Sequence, residues 1–116
     1  MKQLKTEAEY REAIASNDLS VIVFKTTWCP DCHFIDPFMP DVEQKYAATA
    51  TFYHIDRDEL PDLCSELNIL GIPSFVAFRN GQELVRFVNK LRKSREEIEQ
   101  FIDRAAAVAG ALPSEQ

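Results

Sequence analysis

The spacing of hydrophobic positions changes several times along the chain, and each change marks an element. Lys2 to Lys5 allows a short edge strand at most. Thr6-x-x-Glu9 is a capping box, in which the hydroxyl and the carboxylate satisfy free N–H groups. The helix it opens carries Tyr10, Ala13 and Ile14 on one face and is expected to end near Asn17. Ser20 to Lys25 reads SVIVFK, a run without alternation that predicts a strand buried on both faces, as in a parallel sheet. From Pro30 to about Ala47, Phe34, Ile35, Phe38, Val42 and Tyr46 recur at helical spacing, with Pro37 and Pro40 expected to kink the helix. Thr51 to Ile55 predicts a second central strand, and Leu60, Leu63, Cys64 and Leu67 mark one face of a short helix. Ser74 to Phe78 and Leu84 to Val88 predict two strands joined by a hairpin at Asn80-Gly81, a pair suited to a type I′ turn. Ser94-x-x-Glu97 is a second capping box, opening a helix that buries Ile98, Phe101, Ile102 and Ala105.

The predicted order is (β)αβαβαββα. Strands separated by helices imply parallel pairing, and the final hairpin adds an antiparallel edge. The expectation is one α/β domain over residues 1–110, with helices on both faces of the sheet and a frayed tail at 111–116.

Composition narrows the function. The chain has 116 residues, 46% hydrophobic and 28% charged, which suits a single folded domain and excludes a disordered or collagen-like chain. A net charge of −6 argues against a nucleic-acid partner. The apolar stretch from Ala105 to Leu112 is too short to span a bilayer. The first ten residues lack the apolar run of a secretory leader, so a cytoplasmic location is expected.

Three cysteines make a poor disulfide framework, but Cys29 and Cys32 lie three apart. Trp28-Cys29-Pro30-Asp31-Cys32 falls where a buried strand gives way to a helix, at the sheet edge where α/β folds place their sites. Cys29 at the helix N-cap meets unpaired N–H groups and the positive end of the dipole, which favour its thiolate. Pro30 suits the first helical turn. Cys32, one turn in, can attack a mixed disulfide on Cys29, so Cys29 is the expected nucleophile and Cys32 the resolving thiol. A Cys-x-x-Cys alone could equally be half a zinc site. The second pair of ligands is missing here, and only His33 and His54 could add to it.

These features, with Pro37, Gly71-Ile72-Pro73-Ser74 and Phe78-Arg79-Asn80-Gly81, give a chain that resembles the thioredoxin family over nearly its whole length. The Cys-Pro-Asp-Cys form is similar to that of a divergent, bacterial-type group of cytosolic thioredoxin-like proteins. The resemblance implies a thioredoxin fold and dithiol–disulfide exchange through a redox-active Cys29–Cys32 pair, with no metal and no organic cofactor. It implies that Pro73 is a cis proline facing the cysteines and that Ile72 offers its backbone to the substrate. It implies that Trp28 shields the pair and contacts partners, and that Asn89 borders the site. Disulfide-containing proteins or small disulfides would be the substrates. A thioredoxin reductase or similar dithiol would return the electrons to a monomer.

Several positions depart from the family. Its buried acid is Val23 here and the lysine partner of that acid is Phe52, which alters the expected proton-transfer route. The family's second tryptophan is Lys25. Asp31 places a like charge beside the thiolate while Lys25 and the helix end oppose it. Asp31 is expected to prevail, toward the reducing end of the range of about −270 to −120 mV. Cys64 is expected in the core, His33 in solvent, His54 as structural. Lys90, Arg92, Lys93 and Arg95 form a basic run of the kind usually solvated, although Lys90 and Asn89 lie where acidic partners could be selected. The leading reading is a protein-disulfide reductase. The others are a redox-regulated binding module and a metal or iron–sulfur site shared across a dimer.

Overall fold

The computed structural model describes residues 1–112. Five strands form one sheet in the order β1-β3-β2-β4-β5, where β1 is Lys2–Gln3, β2 Ser20–Lys25, β3 Thr51–Asp56, β4 Ser74–Arg79 and β5 Gln82–Phe87. The helices are α1 (Glu7–Ile14), α2 (Pro30–Ile35), α3 (Met39–Lys45), α4 (Pro61–Glu66) and α5 (Arg95–Ala111). Ala111, expected in the frayed tail, is the last residue of α5, and residues 113–116 of that tail lie outside the described residues.

Alternation along the central strands divides the core in two. Val21 and Val23 of β2 and Phe75 and Ala77 of β4 face α3 and α5, meeting Val42, Ile98, Phe101 and Ile102. Ile22 and Phe24 with Val76 and Phe78 face α1 and α4, meeting Tyr10, Ala13, Leu63 and Cys64. Cys64 is thus a core residue, as expected. Every side chain from Val21 to Phe24 is fully buried, which explains the unbroken apolar run.

The Thr6 box is half formed. Thr6 Oγ1 accepts from the Glu9 amide at 3.1 Å, while the Glu9 carboxylate meets the Thr6 hydroxyl. The Ser94–Glu97 box is complete.

Two expectations are corrected. The long helix after Pro30 is not one kinked rod but two short helices parted at residues 36–38. Pro37, without an N–H, lies in the gap. Pro40 falls in the first turn of α3, where a missing N–H costs nothing, so it starts a helix rather than bending one.

The second correction concerns β4. It follows a helix, yet it pairs antiparallel to β2, with Phe24 opposite Ser74. α4 has six residues, about 9 Å of helix, against six residues of strand, about 20 Å. So short a helix cannot carry the chain back along the sheet for a parallel return. The chain re-enters at the edge where β2 ends, which brings residues 71–73 beside the start of α2.

Asn80 and Gly81 have φ of 54° and 78°, the conformation a two-residue type I′ turn needs. No described helix is long and apolar enough to cross a membrane.

Candidate functional site

β2 ends at Lys25, a short loop carries Trp28, and Cys29 is the N-cap of α2. Its extended backbone (φ −80°, ψ 117°) turns the sulfur onto the helix terminus, where Sγ accepts from the Cys32 amide at 3.3 Å. Pro30 occupies the first turn, as its fixed φ favours. On the other side, Cys29 Sγ donates to the Ile72 carbonyl at 3.8 Å, and the Ile72–Pro73 bond is cis. All three cysteines are free thiols. Both residues are buried, Cys29 at 5% exposure and Cys32 at 1%. Burial and the hydrogen bond to Cys29 push the Cys32 thiol up to about 12, against smaller downward contributions from the Thr26 backbone and Lys25. Burial likewise lifts Cys64, to about 11. Cys64 is held as the neutral thiol of a core residue.

Both charges expected to compete over the thiolate are already paired. Asp31 Oδ1 accepts from Arg92 Nε at 2.8 Å, and the Arg92 guanidinium stacks over Phe34 at 4.5 Å. Lys25 meets Asp36 at 3.4 Å. The simple contest between Asp31 and Lys25 is therefore replaced by two ion pairs, one at each end of α2. His33 is exposed, as expected, with Nε2 donating to the Thr27 carbonyl at 2.6 Å. His54 lies half-buried on β3, where burial lowers its proton affinity.

Trp28 is 59% exposed and lies beside the motif, its indole Nε1 donating to Asp58 at 2.6 Å. Nothing in the sequence marks Asp58, because the bond spans 30 positions and depends on how the loop after β3 folds. Asn89 lies in the segment between β5 and α5, and its side-chain oxygen accepts from the Leu91 amide and from Lys93. Lys93 was expected in a solvated run, yet it is 1% exposed. Leu91 and Arg92 take the solvent side of that segment, which leaves Lys93 pointing inward. Among the described residues, no three His, Cys, Asp or Glu side chains group as a metal site.

The segment also presses on the cis-proline loop. A Cβ added to Gly71 would lie 2.1 Å from the Asn89 carbonyl oxygen, 2.5 Å from its carbon and 2.8 Å from Lys90 Cα. All three are backbone atoms and cannot swing aside. Gly71→Ala should therefore lower stability by about 1–3 kcal/mol, the usual cost of overpacking. A urea midpoint equal to that of the parent would show that the two segments are not in register as described.

With the site assembled, known proteins can be set beside it. The thioredoxin family model matches residues 2–104. Thioredoxin-1 of Saccharomyces cerevisiae is 36% identical over 86 residues, 74% of this chain and 82% of its own. Human thioredoxin is 33% identical over 89 residues, 75% of this chain and 84% of its own. Among solved structures, mitochondrial thioredoxin 3 from Saccharomyces cerevisiae in its oxidized form superposes with a TM-score of 0.77. It is 29% identical, and the match covers 90% of this chain and 94% of that one.

Proposed function

Since this chain belongs to the thioredoxin family and is a thiol–disulfide oxidoreductase, we propose that Cys29 is its attacking thiol and Cys32 its resolving thiol. The observation that carries this is the placement of Cys29 Sγ, capping α2 through the Cys32 amide and facing the Ile72 carbonyl. The Cys29 sulfur accepts the capping N–H of Cys32, while burial opposes a thiolate at Cys32.

Cys29 attacks a partner disulfide, forming a mixed disulfide and expelling the first partner thiolate. Cys32 Sγ then attacks Cys29 Sγ, releasing the second. Two electrons have passed to the partner, and Cys29–Cys32 is left as a disulfide. Before it attacks, Cys29 gives up to solvent the thiol proton that it shares with the Ile72 carbonyl, which leaves Sγ as the thiolate and frees that oxygen. An extended partner segment can then pair with the backbone at Ile72, beside Pro73 and the exposed face of Trp28. Asp31 and Lys25, each ion-paired, support the position of α2 rather than acting on the partner directly.

A thioredoxin reductase or similar dithiol donor returns the electrons, and the pair works without metal or organic cofactor. We place the protein in the cytoplasm, a reducing compartment that keeps the dithiol charged with electrons. It acts as a monomer there, since one chain supplies both thiols and the docking edge. Insulin precipitation in dithiothreitol tests the activity, and catalytic amounts of protein should speed it severalfold. A rate no faster than dithiothreitol alone would overturn the reductase reading.

A further inference from the structure

Lys93 is the buried charge that neither the exchange chemistry nor the fold requires. Its side chain is enclosed, and burial lowers its affinity for a proton, opposed by Asp31, Glu97 and the two site cysteines. The amine is nonetheless fully engaged. Nζ donates to the Leu91 carbonyl at 2.9 Å, the Asn89 side-chain oxygen at 3.1 Å and the Asn89 carbonyl at 3.2 Å, and it lies 5.2 Å from the Phe87 ring centre. Three donors meet three acceptors, all within one turn of backbone that belongs to no helix or strand.

We infer that Lys93 is a positioning residue that holds residues 89–92 rigid as a wall, beside the cis-proline loop and α2, of the groove receiving the partner disulfide. The inference rests on the reading of Cys29 as the attacking thiol. The contacts run without a gap. Lys93 fixes the Asn89 carbonyl, and that carbonyl packs against Gly71. Gly71 precedes Ile72, whose own carbonyl meets Cys29 Sγ. In the other direction Arg92 crosses to Asp31, between the two cysteines. The segment thus touches both the cis-proline loop and α2, and it presents Leu91, 71% exposed, to an incoming chain. A loop with no regular hydrogen bonds would lose conformational freedom on docking, and that cost weakens binding. Lys93 removes it beforehand, at the expense of burying an ammonium group.

The consequence is a split between partners. A folded protein or peptide disulfide uses the wall, whereas a small aromatic disulfide needs only the sulfur. Lys93→Met keeps an unbranched stem, one atom shorter, and removes the three hydrogen bonds. It should raise KM for insulin about tenfold with kcat changed far less, the pattern of lost uniform binding. Its rate with 5,5′-dithiobis(2-nitrobenzoate) should change much less than its kcat/KM for insulin. An equal fall with both disulfides would mean that Lys93 acts on the thiols, and no change with insulin would mean that the wall is not used. Either result overturns the inference. Asn89→Ala removes the oxygen that Lys93 shares with the Leu91 amide and should shift KM in the same direction. It serves as the readout if Lys93→Met fails to fold, and an unchanged KM would then count against the wall. Parent protein that fails to reduce insulin would instead defeat the underlying reading of the site.

Discussion

Cys29→Ser should abolish disulfide reduction, lowering turnover by at least about 10³-fold, the scale seen when a nucleophile is removed. The fold should survive the change. Serine is a preferred N-cap, and its oxygen can accept the Cys32 amide in place of sulfur. Cys32→Ser should behave differently. The attacking thiol and its cap remain, so the first exchange proceeds once, and the partner stays linked to Cys29. Incubation with a reducible protein should give a stoichiometric adduct on a non-reducing gel, which dithiothreitol dissolves. The two variants together assign the roles. If Cys29→Ser accumulates the adduct and Cys32→Ser forms none, nucleophile and resolver are exchanged. That would contradict the placement of Cys29 Sγ at the cap of α2, facing the Ile72 carbonyl.

What could be read from the residues and what could not divides by range. Local features were legible, because the signals are physical and short. Pro30 after a cysteine at the end of an unbroken apolar run marks a strand, a cap and a helix in one stretch. Asn80-Gly81 declares its turn through the need for positive φ. The direction of β4 was not legible, because helix between strands argues for a parallel return and only the shortness of α4 defeats it. Charge was least legible of all. Asp31 and Lys25 read as free charges in the sequence, yet their partners are Arg92, 61 positions away, and Asp36, 11 away. Lys93 sat in a run of basic residues that pattern alone assigns to solvent. The turn of the backbone from Asn89 to Lys93 decides which of those side chains faces inward.

The resolving step should be the pH-limited one. Cys32 is pushed up from 9.0 to about 12 in the reduced protein, by burial first and by the Cys29 hydrogen bond second. Once Cys29 is in a mixed disulfide, its hydrogen bond and charge no longer act on Cys32, but burial does. The resolving thiol therefore stays mostly protonated at neutral pH, and attack requires the thiolate. In the family a buried acid could take that proton. Its position here is Val23, fully buried between the neighbouring strand positions His54 and Phe75. No carboxylate stands among the groups that set the Cys32 ionisation. Below the pKa, the thiolate fraction of such a group rises tenfold per pH unit. Release of a fluorescent peptide from a preformed Cys29 mixed disulfide should then speed up about tenfold per unit between about pH 6 and pH 8.5. A rate that is flat over that interval would mean that another base serves Cys32. With the expected slope, the mixed disulfide is long-lived at neutral pH and shortens as pH rises. The time a partner spends on Cys29 is then governed by hydroxide rather than by a base built into the sheet.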